Sequence, residues 1–311
     1  MRDKGVSIFG VYTDYTVNYT GNQYPQMLHR SSIQLLRFPF SFLLMPVFIF
    51  GISQATSIQP YSTLLMFLIL HLLVYPASNG YNSYMDRDTG PVGGLEKPLQ
   101  PTRQLYYLSV LLDSAAVILA LFLSMLTAVI VLIYILASRA YSYRRIRLKQ
   151  YPVAGFLTVI FFQGAACFYL AYTSAMNQPA LLPPLLPMLA SSLLIGSLYP
   201  LTQIYQHDAD QADGVTTLSM MLGYRGTFIF SGILFLTAMV ILYVYFLQTG
   251  ASRHFLFLSA ALLPVTAYFL YWARLVWIDS SYADFSHTMK MNLLTAVCMN
   301  LAFLLLLIFP A

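Results

Sequence analysis

Charged residues are scarce in this sequence. Asp, Glu, Lys and Arg make up only 9% of the 311 residues, and the mean hydropathy is +0.68. A typical soluble domain carries about 25% charged residues. The composition therefore excludes an ordinary soluble globular protein.

Cysteines are also few. Cys167 and Cys298 both lie inside apolar stretches and form no Cys-x-x-Cys pattern. Neither a disulfide framework nor a thiolate metal site is therefore indicated, and we interpret both as small core residues.

An early apolar run is absent too, because residues 1–30 are polar and rich in tyrosine. We therefore expect no cleavable signal peptide, and we expect the first span to act as its own signal.

Long apolar stretches are what the sequence has instead. A helix that crosses a bilayer needs about 20 mostly apolar residues, and lipid leaves only helices or closed barrels able to satisfy the backbone. Nine such stretches are centred near residues 43, 68, 117, 131, 161, 190, 236, 261 and 303. We predict an all-α, polytopic membrane bundle of about nine transmembrane helices over residues 31–311, preceded by a cytosolic segment over residues 1–30.

The charged residues are distributed asymmetrically across the predicted membrane. Of the 16 basic residues, only Arg253 falls on the side opposite to the others. By the positive-inside rule, we predict a multi-pass protein of a bacterial inner membrane with its N-terminus in the cytosol. Acidic residues gather on the same side, namely Asp86, Asp88, Glu96, Asp208, Asp210, Asp213, Asp279 and Asp284. Acids and bases clustered on one face indicate a site where a metal ion and basic side chains bind a polyanion.

The first acidic segment follows the second apolar stretch. Tyr75, Asn79, Asn82 and Asp86 are spaced by 4, 3 and 4 residues, so a continuous helix aligns them on one face. Polar side chains inside a membrane usually face a cavity of the bundle rather than lipid. A solvated helix end is the alternative interpretation.

The second acidic segment ends the sixth apolar stretch. It contains Gln206, Asp208, Asp210 and Asp213. Carboxylates this close repel one another unless a cation binds between them. Mg²⁺ suits oxygen ligands of this kind, because it uses one or two carboxylates and completes its coordination with water and substrate phosphate. A solvated acidic loop is the alternative.

These two segments resemble the motifs of the UbiA superfamily of intramembrane prenyltransferases. The family's first motif, N-x-x-x-D-x-x-x-D followed by a basic-Pro-aliphatic signature, matches Asn82, Asp86 and Lys97-Pro98-Leu99 here. Its second motif, D-x-x-x-D-x-x-x-G-x-x-T-L, matches Asp210, Gly214, Thr217 and Leu218. The stretch LLRFPFSFLLMP, which includes Arg37, resembles the family's Leu-Arg-x-Pro entry to the first helix. One family aspartate is missing from each motif, since Gly90 and Gln206 occupy those positions.

The resemblance implies a role for each motif residue. Asn82, Asp86 and Asp210 are the expected catalytic residues, and Asp86, Asp88, Asp208 and Asp210 the expected Mg²⁺ ligands. Asp88 and Asp208 lie two residues from retained aspartates, so they can serve only where the backbone is irregular. The expected substrate-binding residues are Arg37, Tyr75, Lys97, Tyr143, Arg147 and Gln206. Tyr143 and Arg147 are placed by a Tyr-x-x-x-Lys pattern that binds diphosphate in the family.

The implied activity is transfer of a prenyl group from a prenyl diphosphate to a hydrophobic, aromatic or lipid-like acceptor within the membrane. Such a reaction ionises an allylic diphosphate, and aromatic side chains stabilise the resulting cation. Two alternatives remain open: a terpene cyclase of the same fold that needs no acceptor, and a non-catalytic binder or transporter of an anionic isoprenoid lipid. We expect membrane lipid, but no nucleic acid, as a further partner.

Two polar residues inside apolar stretches have no place in either motif. They are His71, one turn before Tyr75, and Asp113 in the third stretch. One interpretation is that each side chain orients an acceptor or quenches a cation. The alternative is that each forms a hydrogen-bonded packing contact.

Overall fold

The protein is a bundle of membrane-spanning helices. The computed structural model describes residues 28–176 and 184–309, so nearly all of the predicted N-terminal segment lies outside the described residues. Within those residues, eight helices are long and apolar enough to cross a membrane, and a pair bent by 42° supplies a ninth crossing. The crossings are α1 (Arg30–Leu43 and Met45–Ser53), α2 (Pro60–Asp86), α3 (Arg103–Leu121), α4 (Met125–Ser142), α5 (Pro152–Ala175), α6 (Leu185–Ala212), α7 (Leu218–Gln248), α8 (Ser252–Ile278) and α9 (Phe285–Ile308). The predicted all-α architecture is confirmed.

The helices divide into central and peripheral members. Half of the most apolar stretch of α5, α6 and α9 is buried inside the protein, whereas only 22% of α8 is buried. The exposed apolar surface of the peripheral helices is what a lipid-facing helix requires. Phe50 of α1 stacks on Phe303 of α9, with ring centroids 4.5 Å apart, so the first and last crossings are packed together.

Three crossings depart from regular α-helix. α2 contains a π-helical segment over Leu68–Val74 and α5 another over Ile160–Ala166. α6 becomes a 3₁₀ helix over Pro200–Gln206 before a last α-helical turn, His207–Ala212, and Pro200 lacks the backbone N–H that a regular helix uses here. Such irregular segments commonly mark functional regions.

α5 and α6 approach closely at Gly164. A Cβ atom on Gly164 would lie 2.4 Å from the Cα atom of Ser192, so no larger residue fits there without moving a backbone.

The ends of α2, α4 and α6 gather at one end of the bundle, which we call the acidic end. Arg147, in the connection from α4 to α5, ties these ends together through contacts with Asp86 and Asp213.

Candidate active site

A pocket of about 230 Å³ opens at the acidic end, between α1, α2, α4, α5 and α6. Both acidic segments contribute to its wall, although they are more than 100 residues apart in sequence. The predicted site residues that line it are Arg37, Asn82, Asp86, Asp88, Gln206 and Asp210. We call it the acidic pocket.

Asp86 is an enclosed carboxylate of the pocket, with a side chain only 3% exposed. Its Oδ2 atom accepts a hydrogen bond from Asn82 Nδ2 at 2.7 Å and lies 2.6 Å from Lys149 Nζ. Its Oδ1 atom is buried and has no hydrogen-bond partner among the residues that the structure describes, and the Arg147 guanidinium is 3.8 Å away. An orphaned anionic oxygen in a pocket costs free energy, so this atom is suited to accept a metal ion or another donor.

Asp88 reaches the same pocket because α2 stops at Asp86. Arg87 adopts a left-handed conformation, with φ 56° and ψ 40°, and the chain turns so that Asp88 lies beside Asp86 rather than opposite to it. Burial, and then the negative charge of Asp86, raises the pKa of Asp88. Carboxylates forced together in this way favour a bound cation.

The second acidic segment contributes Gln206 and Asp210. Gln206 Nε2 donates a hydrogen bond of 3.2 Å to the carbonyl of Pro91, which fixes the end of α6 against the loop after α2. Asp208 lies in the regular last turn of α6, where it is exposed and outside the pocket lining. The structure therefore does not bring Asp208 together with Asp210.

Two cations face the three carboxylates. Arg37 is 8% exposed and donates hydrogen bonds to the carbonyls of Gly93 and Asn79, at 3.2 and 3.3 Å. Its Nε atom is buried and has no partner within residues 28–176 and 184–309. Lys149 is the second. Counted with every side chain ionised, the three carboxylates and two cations that line the acidic pocket sum to one formal negative charge.

Four other predicted substrate-binding residues lie outside this lining. Lys97 and Tyr143 are exposed, and Arg147 is buried behind the pocket in an ion pair with Asp213. Tyr75 is buried, with its hydroxyl 2.8 Å from the Sγ atom of Cys167. Of these four, Arg147 contacts a residue of the pocket lining, since its guanidinium lies 3.8 Å from Asp86.

Sequence reasoning missed several residues of the pocket. Lys149 was only one member of a basic run, and Tyr141 and Tyr199, whose hydroxyls are hydrogen-bonded to each other, were not singled out. The spacing contained a signal for α6, since Tyr199, Gln203, Gln206 and Asp210 repeat the intervals of 4, 3 and 4 found in α2. All four line the pocket.

The two isolated polar residues have packing contacts. Asp113 forms an ion pair with Arg139 between α3 and α4, and the Arg139 guanidinium lies 3.9 Å from the centre of the Tyr81 ring. His71 Nδ1 lies 3.2 Å from Ser41 Oγ, and its ring stacks on Phe67. Neither lines the acidic pocket, so their geometry favours the packing interpretation.

The donor set fits a magnesium ion that is shared with substrate. No group of three or more His, Cys, Asp or Glu side chains within residues 28–176 and 184–309 is arranged to hold a metal by itself. Mg²⁺ typically takes one or two carboxylates and fills its remaining positions with water and substrate phosphate. Asp86, Asp88 and Asp210, on the wall of one pocket with an orphaned carboxylate oxygen, meet that requirement.

The fold and the site together define an integral multi-pass membrane protein with an acidic pocket at one end. The model of the UbiA prenyltransferase family matches residues 43–294. The chain belongs to this family. The predicted family assignment is confirmed.

Solved structures share the fold at low sequence identity. An apo UbiA homologue from Aeropyrum pernix K1 is 15% identical, with a TM-score of 0.68 over 86% of this chain and 98% of the other. A UbiA homologue from Archaeoglobus fulgidus bound to GPP and Mg²⁺ is 15% identical, with a TM-score of 0.62 over 90% and 100%. A structure of digeranylgeranylglyceryl phosphate synthase is 17% identical, with a TM-score of 0.59 over 89% and 96%. Comparison with curated proteins found no match.

Proposed function

We propose that this protein transfers a prenyl group from a prenyl diphosphate to a hydrophobic acceptor within the membrane, in a reaction that depends on Mg²⁺. The observation that carries the proposal is the net negative acidic pocket, which adjoins an apolar cavity. A diphosphate carries several negative charges, so it binds beside three carboxylates only together with cations. Homologues from Archaeoglobus fulgidus hold GPP or DMAPP together with Mg²⁺, which supports the same ligand pair here.

The apolar cavity, of about 170 Å³, is lined mainly by side chains of α1, α6 and α9. We call it the inner cavity. Phe40, Gln163, Tyr199 and Thr202 line both it and the acidic pocket. A ligand with a charged head and a hydrocarbon tail matches this pair of spaces, because each part meets a surface of its own polarity.

The pocket residues have distinct roles in this proposal. One or two of the carboxylates of Asp86, Asp88 and Asp210 would hold each Mg²⁺ together with the diphosphate, and Asn82 orients Asp86 through its 2.7 Å hydrogen bond. When bound, Mg²⁺ neutralises the charge that develops on the leaving diphosphate. Lys149 and Arg37 bind the diphosphate oxygens, and Tyr141 and Tyr199, which line the pocket, supply aromatic rings that stabilise the cation.

The reaction breaks the bond between the allylic carbon and the diphosphate oxygen, and the electron pair leaves with the diphosphate. The acceptor supplies the pair for the new bond and then loses a proton. The adjoining inner cavity, lined mainly by apolar side chains, limits the access of water to the cation.

The charge distribution supports an orientation in which the acidic end faces the cytosol of a bacterial cell. The catalytic unit then comprises residues 31–311, and the N-terminal residues 1–30 are cytosolic.

The first test is diphosphate release from farnesyl and geranylgeranyl diphosphate by purified protein, with and without Mg²⁺ and with membrane extract as the acceptor source. We expect Mg²⁺-dependent release that is lost in Asp86→Asn and Asp210→Asn. Asp208→Asn is the matched control, because it makes the same chemical change two residues from Asp210 but outside the pocket. We expect it to retain activity.

Product analysis separates the alternatives. A prenylated acceptor in the mass spectrum supports the proposal, whereas hydrocarbon or terpene alcohol formed without extract would identify a cyclase. Binding of both diphosphates without turnover in the presence of extract would favour the non-catalytic binder. Equal loss of activity in Asp208→Asn and Asp210→Asn would contradict the site described here.

A further inference from the structure

Another pocket lies at the acidic end, where α2 ends and α3 begins. It has a volume of about 190 Å³ and is lined by Tyr84, Arg103, Tyr106 and Tyr107. We call it the tyrosine pocket. None of these four residues lines the acidic pocket. Arg103 and Tyr107 are exposed, so the tyrosine pocket opens on the outer surface of the bundle.

The aromatic wall of the tyrosine pocket is held together by contacts between rings. The ring centroid of Tyr106 lies 5.4 Å from that of Tyr84 and 5.5 Å from that of Tyr107. Such distances are typical of favourable aromatic pairs. Tyrosine is enriched where a membrane meets water, because its ring is apolar and its hydroxyl is polar. The wall therefore suits a ligand that is itself part polar and part apolar.

Two arginines without a counter-ion accompany these rings. Arg103 lines the tyrosine pocket, and the Arg87 guanidinium lies 5.9 Å from the centre of the Tyr84 ring. Within residues 28–176 and 184–309, neither guanidinium has a carboxylate at ion-pairing distance. The carboxylates nearest to Arg87 in sequence, Asp86 and Asp88, line the acidic pocket instead. The two positive charges are thus available to an anionic ligand.

The tyrosine pocket lies at the level of the lipid headgroups. Arg103 is the first of the 19 residues of α3, and a helix of this length spans roughly 28 Å, close to the 30 Å or so of a hydrocarbon core. Tyr107, Leu111 and Ile118 follow at intervals of 4 and 7 residues, so they share one face of α3. Each is more than half exposed. An apolar surface for acyl chains therefore continues from the charged pocket into the membrane.

We propose that the tyrosine pocket binds the phosphate of an anionic glycerophospholipid, with the acyl chains along the exposed face of α3. Arg87 and Arg103 donate charge-assisted hydrogen bonds to the phosphate oxygens. Their charges favour an anionic lipid over a zwitterionic one, whose ammonium group would offset the attraction. The apolar face of α3 favours a lipid over free phosphate. This binding goes beyond the proposed function, because the lipid is neither substrate nor product and its site lies outside the acidic pocket.

The test is a lipid titration followed by native mass spectrometry. The purified full chain in neutral detergent is titrated with dioleoyl phosphatidylglycerol or dioleoyl phosphatidylcholine. Glycerol 3-phosphate, which has the phosphate but no acyl chains, is added in large excess as a competitor. The variants are Arg87→Gln, Arg103→Gln and the double variant. Arg145→Gln is the matched control, because Arg145 is exposed at the same end of the bundle but lies outside the tyrosine pocket.

We expect the wild type to bind phosphatidylglycerol about tenfold more tightly than phosphatidylcholine. A basic residue near a membrane surface contributes enough to weaken phosphatidylglycerol binding about fivefold in each single variant and about 25-fold in the double variant. Arg145→Gln keeps the wild-type affinity, and glycerol 3-phosphate does not displace the lipid. Unchanged phosphatidylcholine binding and an unchanged Tm show that each variant is folded.

Three results would overturn the proposal. The first is equal affinity of the wild type for the two lipids, or wild-type affinity for phosphatidylglycerol in the double variant. The second is an equal loss of affinity in Arg145→Gln, which would assign the binding to the general positive charge of this end. The third is displacement by glycerol 3-phosphate, which would indicate a site for free phosphate esters rather than for a lipid.

Discussion

Lys149 offers the sharpest single perturbation of the acidic pocket. Its ammonium group is 2.6 Å from Asp86, and the two side chains are only 13% and 3% exposed. Two unit charges 4 Å apart attract each other by about 4 kcal/mol at an effective dielectric constant of 20. Lys149 therefore has two proposed roles: it neutralises Asp86 without substrate, and it binds the diphosphate when substrate is present.

The Lys149→Met variant removes the charge and keeps most of the apolar stem. The net charge of the pocket becomes −2, which opposes an anionic substrate, and one charge-assisted contact to the diphosphate is lost. Truncating one partner of a buried charge pair costs about 2 to 4 kcal/mol, so kcat/KM for the prenyl diphosphate should fall about 30- to 700-fold. Steady-state kinetics of diphosphate release at saturating Mg²⁺ measures this.

Arg145→Met is the matched control, because Arg145 lies in the same connection between α4 and α5 but is exposed and outside the pocket. If these basic residues serve only to orient the protein in the membrane, the two variants behave alike. A Lys149→Met protein that keeps kcat/KM within about threefold of the wild type would refute the role given to this lysine.

Two further predictions concern the bundle rather than the pocket. Asp113→Leu leaves the charge of Arg139 unpaired inside the protein, so thermal unfolding in detergent should show that the free energy of unfolding falls by about 3 to 5 kcal/mol. The double variant with Arg139→Met should recover most of this loss. An additive loss in the double variant would contradict the pairing. Gly164→Ala forces a Cβ atom against Ser192 and should destabilise by about 1 to 3 kcal/mol, whereas Gly232→Ala, with no neighbour closer than 3.7 Å, should be tolerated. Equal stability of the two glycine variants would contradict the close approach of α5 and α6.

The crossings and the polar face of α2 were predictable from the sequence itself, whereas the meeting of the two acidic segments was expected from their shared side of the membrane and the family resemblance. Apolar length identifies a crossing directly, and a stripe such as Asn79, Asn82 and Asp86 places polar groups on one face of a helix. Both signals, the length of an apolar stretch and the spacing of polar residues, are contained within a single element.

What the sequence did not reveal depends on contacts between elements or on backbone geometry. The approach of Asp88 to Asp86 requires a left-handed Arg87, and arginine carries no preference for that conformation. Lys149 stands in a run of five basic residues near the end of α4, and only the folded bundle distinguishes the one that contacts Asp86 from Arg145, which stays exposed. Asp208 looked equivalent to Asp88 by spacing, but a regular helical turn directs it away from the pocket.

The most direct test of the central claim is to locate the metal and the substrate. A crystal structure of the protein with Mn²⁺ in place of Mg²⁺ and farnesyl thiolodiphosphate would show the metal by its anomalous scattering. The account predicts an anomalous peak within coordination distance of Asp86 and Asp210, a diphosphate in contact with Lys149, and a tail in the inner cavity. A metal bound elsewhere, or a diphosphate bound away from these carboxylates, would contradict it.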